Sequence, residues 1–140
     1  MTDNPKQGSG RAKPSYRFAP PCSVVWMNEA LRGGAMKYGA FNWAETGVAA
    51  SDYYDSMNRH LALWYTGEDI DKESGIHHLA HVMAGAAIIL DCWRLKKLLD
   101  DRPHTAKVSF SFKEITERIA DDANIGEGES GGSSRRTVGK

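Results

Sequence analysis

The sequence predicts an all-α protein, a bundle of three main helices between irregular termini. Apolar residues recur at three- and four-residue steps in three long segments, the mark of amphipathic helices. Glycine or serine punctuates the chain between those segments. The 140 residues, 41% hydrophobic and 26% charged, suit a soluble globular domain with one modest core.

Residues 1–22 are polar, contain Pro5, Pro14, Pro20 and Pro21, lack periodicity and read as a flexible N-terminal arm. The helical domain is expected over 23–122, followed by a disordered Gly/Ser-rich tail over 123–140. The first helix spans Val24 to Tyr38, with Ser23 as N-cap and Gly39 as the exit residue. Gly33 and Gly34 lie inside it and mark either a close approach by a helix or ligand or a kink. A loop, Gly39 to Ala50, carries Asn42 and Trp43. The second helix runs from an N-cap at Ser51 to about Thr66, where Gly67 stops it, with Tyr53, Tyr54, Met57, Leu61, Trp64 and Tyr65 as its apolar stripe. Asp55 and Arg59 stand one turn apart as a candidate surface ion pair. The third and longest helix is predicted from Lys72 to Asp100, capped by Asp71, with small residues from Ala84 to Ala87 for close packing. A strand over 106–112 and a short helix over 113–122 complete the prediction.

Eighteen basic residues balance eighteen acidic ones, which excludes a globally basic nucleic-acid binder. Cys22 and Cys92 form no disulfide framework or paired CxxC motif, so a reducing cytoplasm is the simplest compartment. There is no signal-peptide core, and the longest apolar stretch, Val82 to Leu90, cannot span a bilayer.

The chemistry concentrates in Glu68, Asp69, Asp71 and Glu73, followed by His77, His78 and His81. Carboxylates packed this closely repel one another unless solvated or neutralised, and hard oxygen donors suit Mg²⁺ or Mn²⁺. The competing explanation is helix capping, because carboxylates favour the positive end of a helix. The three histidines fall near the start of the third helix, where the acidic turn can meet them. His77-His-Leu-Ala-His81 has His where a zinc protease needs Glu, so a metalloprotease is rejected. No His-Asp dipeptide and no Walker A sequence occur. Arg32, Lys37 and Arg59 are candidate phosphate contacts. Asn42 and Trp43 are placed to hydrogen-bond and stack on a purine, unless Trp43 closes the core. Glu29 is a further carboxylate from the first helix, and His60 is either a packed core histidine or a site residue.

Lys37-Tyr-Gly, Asn42-Trp43, Arg59-His60-Leu61 with Trp64, and Gly67-Glu-Asp-Ile-Asp-Lys-Glu-Ser-Gly75 followed by His78-Leu-Ala-His81 resemble the phage and bacterial dATP/dGTP diphosphohydrolase family. These enzymes are relatives of the MazG-like all-α nucleotide pyrophosphohydrolases, and within them the chain is most similar to the phage MazZ-type. The resemblance runs from about residue 24 to residue 92. It implies hydrolysis of a purine dNTP between its α and β phosphates, Mg²⁺ or Mn²⁺ as cofactor, and a MazG-like bundle completed as a homodimer or tetramer. In a phage it implies supply of dGMP for modified-purine DNA, in the host cytoplasm. One departure stands out: Arg59 and His60 occupy the second helix where such sequences carry carboxylates, and the E-x-x-D spacing of Glu68 and Asp71 crosses a turn.

The resulting expectation assigns Glu68, Asp71, His78 and His81 to catalysis, and Lys37, Asn42, Trp43, Arg59 and His60 to substrate binding. Glu29, Glu68, Asp69, Asp71 and Glu73 are assigned to metal. Neither a stable nucleic-acid partner nor a membrane is expected, and Trp64, Tyr65 and Trp93 are candidates for a subunit seam. The alternative is a catalytically silent helical interaction module whose acidic turn only caps a helix and whose Arg135/Arg136 tail binds a partner.

Overall fold

In a computed structural model, residues 5–11, 13–104 and 111–128 are described. The chain divides into two compact units, residues 1–102 and 103–140. The first unit contains α1 (Pro5–Arg11), α2 (Pro21–Tyr38), α3 (Asn42–Thr46), β1 (Val48–Ala49), α4 (Ala50–Tyr65), α5 (His78–Arg94) and β2 (Leu98–Leu99); the second contains α6 (Phe112–Gly128). The all-α expectation holds, with α2, α4 and α5 as the three main helices.

Helix α5 is the centre of the first unit, packed against α4 on one side and α2 on another. Ala30, Ala80 and Ala84 form the buried core, with Met27, Leu31, Ile76 and Met83 packed around them. Small side chains at the seam let the backbones approach. A Cβ on Gly85 would lie 2.8 Å from Met57 Cγ of α4, so alanine there would force Met57 to move. Helix α2 runs on through Gly33 and Gly34 to Tyr38.

Helix ends depart from the sequence prediction for identifiable reasons. Pro21 opens α2 at a position where a missing N–H costs nothing, and Ser23 donates its hydroxyl to the Pro20 carbonyl at 2.8 Å instead of capping. Ser51 does not cap α4 either: its N–H donates to Asp101 Oδ1 at 2.9 Å and its hydroxyl to Oδ2, so a carboxylate beyond β2 supplies the cap. Gly67 ends α4 as expected, at φ 102°, with Glu68 N–H donating to the Leu63 carbonyl and Gly67 N–H to the Trp64 carbonyl.

Helix α5 is much shorter than the predicted 72–100. Asp71 is not its N-cap, because Gly75 at φ 71° turns the chain first, and His77 caps the helix by accepting from Leu79 N–H at 3.1 Å. At the other end Lys96 takes φ 57°, and the N–H groups of Lys96 and Lys97 donate to the Trp93 and Cys92 carbonyls. The chain then pairs β2 parallel with β1. The predicted strand over 106–112 falls largely outside the described residues, and Phe112 begins a helix. That helix, α6, extends to Gly128 and so overruns the expected start of the tail at 123.

Gly47 sits at φ 75° immediately before β1, where an added Cβ would collide with the Lys97 carbonyl oxygen. Gly47→Ala is expected to destabilise the fold by about 1–3 kcal/mol, measurable as a lowered midpoint in urea unfolding.

Candidate active site

Between α4 and α5 the acidic segment folds into a tight hairpin. Asp71 N–H donates to the Ile76 carbonyl and His78 N–H to the Asp69 carbonyl, each at 2.9 Å, around an antiparallel bridge between Ile70 and His77. This closure places His78 at the first turn of α5, fully buried. Its Nε2 lies 3.2 Å from Glu68 Oε1, and its Nδ1 lies 2.9 Å from His60 Nδ1 on α4. Lys72 donates to the other Glu68 oxygen at 2.6 Å. The lysine first, and His78 second, hold the Glu68 carboxyl below its usual value.

A second chain of contacts runs beside the first. Ser74 donates its hydroxyl to Asp71 Oδ2 at 2.7 Å, and the same hydroxyl meets His81 Nε2 at 2.8 Å. Burial pushes the Asp71 carboxyl up, but hydrogen bonds from the Ser74 hydroxyl and the Glu73 and Ser74 N–H groups outweigh it and leave it low. The rings of His60 and His81 stack at 4.4 Å between centroids with 10° between planes. Burial lowers the affinity of both rings for a proton, and their proximity lowers that of His60 further.

These histidines face two adjoining cavities. The outer one is a cleft of about 550 Å³ whose mixed wall includes the charged or polar Lys37, Arg59, Asp71, Glu73 and Ser74. The inner one, about 160 Å³, is lined by Tyr38, Asn42, Trp43, Tyr53 and the small residues of α5. Ala30, Gly34, Tyr38, Ser56, His60 and His81 line both. Trp43 is held by its indole N–H, which donates to Asp91 Oδ2 at 3.0 Å. Lys37 pairs with Glu73 at 2.8 Å, whereas Arg59 is exposed and makes no ion pair or hydrogen bond among the described residues, Asp55 included.

The family model for "dATP/dGTP diphosphohydrolase, N-terminal" matches residues 3–102. The chain belongs to that family. A curated relative from Salmonella phage PMBT28, named dATP/dGTP diphosphohydrolase, is 33% identical over 75 residues, covering 54% of this chain and 25% of the relative. The chain therefore spans about a quarter of the length of that relative. No solved structure matches the chain.

Within this family member, the cleft and pocket bring together Lys37, Asn42, Trp43, Arg59, His60, Asp71, Glu73 and His81. Glu68 and His78 stand behind them, connected through His60. Glu29 is occupied by Arg32 at 2.6 Å, and Asp69 faces His77 at 4.0 Å; neither lines the cleft. The expected metal set does not converge: among the described residues, no three His, Cys, Asp or Glu side chains form a group able to hold a metal ion. The carboxylates of Glu29, Glu68 and Glu73 each face a cation of their own, which disperses the acidic run. The donors as arranged do not fit a resident Mg²⁺ or Mn²⁺ cage.

Sequence reasoning missed Ser74, Ser56 and Asp91. Ser74 carried a signal in its place between the carboxylates and the histidines, but Asp91 is 48 residues from Trp43 and gave none.

Because His60 and His81 are pushed down in the folded chain, the unfolded chain takes up protons first as pH falls through about 6.5. Stability is thus intact above that value and declines between it and the lower folded values. The thermal midpoint should be lower at pH 5.5 than at pH 7.5, and His60→Asn should shrink that difference.

Proposed function

We propose that this chain hydrolyses purine deoxynucleoside triphosphates, dGTP or dATP, to the monophosphate and pyrophosphate. The observation that carries this reading is an aromatic pocket joined to a cleft by shared walls. A cavity of about 150 Å³ accommodates a benzene-sized ring, and the inner pocket opens toward more space on the side it shares with the cleft. The base would lie against Trp43 with Asn42 at its hydrogen-bonding edge, the sugar at the neck, and the triphosphate in the cleft. Arg59 supplies a guanidinium that is unpaired among the described residues and suited to bidentate phosphate contact. Lys37 becomes available as phosphate oxygens compete with Glu73.

The family name and the name of the phage relative support the same substrate class. Mg²⁺ or Mn²⁺ belongs to the proposal as an ion that arrives with the triphosphate. Mg²⁺ is commonly held by one or two carboxylates plus substrate phosphates, and Asp71 and Glu73 are the carboxylates on the cleft wall. When bound, such an ion neutralises phosphate charge and acidifies a coordinated water.

The same reading extends to assembly and setting. Trp64, Tyr65 and Trp93 are 36%, 84% and 70% exposed, and Leu61, Trp64 and Tyr65 line a shallow apolar groove on α4. We read them as the seam of a homodimer or tetramer; light scattering giving a monomer at working concentration would contradict this. No helix among the described residues is long and apolar enough to cross a membrane. The proposed setting is the cytoplasm, the host's for a phage-encoded MazZ-type enzyme that supplies dGMP for modified-purine DNA.

Purified protein incubated with each dNTP and Mn²⁺ should release the monophosphate and pyrophosphate, resolved by anion exchange. Orthophosphate as the product, or no turnover, overturns the reading. Arg59→Ala should raise KM roughly tenfold or more through loss of a charge-assisted hydrogen bond. Gly34→Ala meets nothing within 4 Å and should stabilise α2 by up to about 1 kcal/mol. It also adds a methyl to the shared wall, so KM should rise while the fold strengthens.

A further inference from the structure

His60 and His81 line both the pocket and the cleft, His78 is buried behind them, and their hydrogen bonds assign the three rings different tasks. A carboxylate only accepts hydrogen bonds, so the 3.2 Å contact between Glu68 Oε1 and His78 Nε2 puts a proton on that nitrogen. With one proton on the ring, His78 Nδ1 is bare. The 2.9 Å contact between the two Nδ1 atoms then requires His60 to be the donor. A neutral His60 that donates from Nδ1 has a bare lone pair on Nε2. That nitrogen has no hydrogen-bond partner among the described residues, and it is not shut off from solvent, since no buried side-chain nitrogen or oxygen there lacks a partner.

His81 is arranged differently. The Ser74 hydroxyl gives its single proton to Asp71, so His81 Nε2 donates to the Ser74 oxygen. The outer nitrogen of His81 is therefore spent, and only the inner Nδ1, beside its own Cβ, is left. His60 alone of the three presents its outer nitrogen uncommitted.

We infer that His60 is the general base of this site, held in the base-competent tautomer by His78 and Glu68 as positioning residues. The inference rests on the proposed phosphohydrolase reading and names the proton acceptor within it. His60 lines both cavities. With the base in the inner pocket and the triphosphate in the outer cleft, the phosphorus nearest the neck is the α-phosphorus. A water between His60 Nε2 and that atom loses its proton to Nε2 as its oxygen forms the new bond to phosphorus. The bond from the α-phosphorus to the bridging oxygen breaks, and pyrophosphate leaves with the electron pair. The imidazolium formed on His60 is balanced through His78 by the Glu68 carboxylate, the role an orienting carboxylate plays toward a catalytic histidine, here one ring further away. Burial and the neighbouring rings lower the proton affinity of His60, the direction that favours the unprotonated form a base needs.

Two measurements test this. In wild-type protein labelled with ¹⁵N in histidine, long-range ¹H–¹⁵N spectra read which ring nitrogen bears the proton. His60 should carry it on Nδ1, and a proton on Nε2 overturns the inference. In steady-state kinetics with the preferred dNTP, His60→Asn should lower kcat roughly 100- to 10,000-fold. KM should stay within about threefold, because the lost interaction belongs to the transition state. Glu68→Gln, at a side chain 28% exposed, should lower kcat by roughly 100-fold or more and shift the His60 tautomer in the same spectra, with an unchanged thermal midpoint showing that the fold is kept. A His60→Asn enzyme within tenfold of wild type, or a loss confined to His81→Asn, overturns the base assignment while leaving the phosphohydrolase reading intact. Wild-type protein that turns over no dNTP overturns both.

Discussion

His78 is an imidazole without solvent contact, and each of its nitrogens has one partner, Glu68 from the hairpin and His60 from α4. A buried polar atom left without a partner costs about 1–3 kcal/mol, so the hairpin and α4 are held in register by the need to satisfy this ring. The rest of the site follows from that placement. Once Glu68 is fixed, the turn through Gly75 brings Asp71 and Ser74 against His81, one turn beyond His78 on α5. His60, anchored through Nδ1, is set parallel to His81. Helix α2 then closes the remaining side with Gly34 and the Lys37–Glu73 pair.

Because the core is small, these polar contacts position more of the molecule than its apolar packing does. The fully or nearly buried apolar side chains are alanines and Cys92, while larger ones such as Leu61, Tyr54 and Trp93 face outward. Alanine and glycine at the α2–α5 and α4–α5 seams bring backbones close without filling much volume. That is a packing that leaves cavities, and both cavities of the site lie along it.

How much of this the sequence displayed depends on where each partner lies in the chain. The existence of α2, α4 and α5 was legible from periodicity, and the end of α4 was legible because glycine occupies the left-handed position. The end of α5 uses the same backbone motif with Lys96 in that position, and nothing in a lysine announces it. Likewise Ser51 looked like its own cap, but the donor groups it offers are claimed by Asp101, brought near by the short parallel pairing of β1 and β2. The closeness of His77, His78 and His81 in the chain was legible; their contact with His60 was not. Spacing put His78 and His81 on one helix, but only the tertiary contact with His60 decides which ring nitrogen is bare. The pairing within the acidic run is not legible for a related reason: a sequence counts carboxylates, while the fold decides that Glu68 meets Lys72 and Glu73 meets Lys37.

That last point bears on how a polyanion would be received. Lys37 and Glu73 are exposed, so their ion pair contributes little and yields readily to a stronger partner. The Asp71 carboxylate is already hydrogen-bonded by the Ser74 hydroxyl and two backbone N–H groups, while Arg59 makes no ion pair among the described residues. The cleft therefore carries the Asp71 charge at one end and the Arg59 charge at the other. On the proposed reading, phosphate oxygens that take Lys37 from Glu73 also release a carboxylate beside Asp71. The cation that accompanies a triphosphate would find its ligands only after the triphosphate had bound. A chain whose acidic and basic residues balance in total can thus, on the proposed reading, lack a preformed cation cluster and still offer Asp71 and Glu73 to an ion that arrives with its substrate.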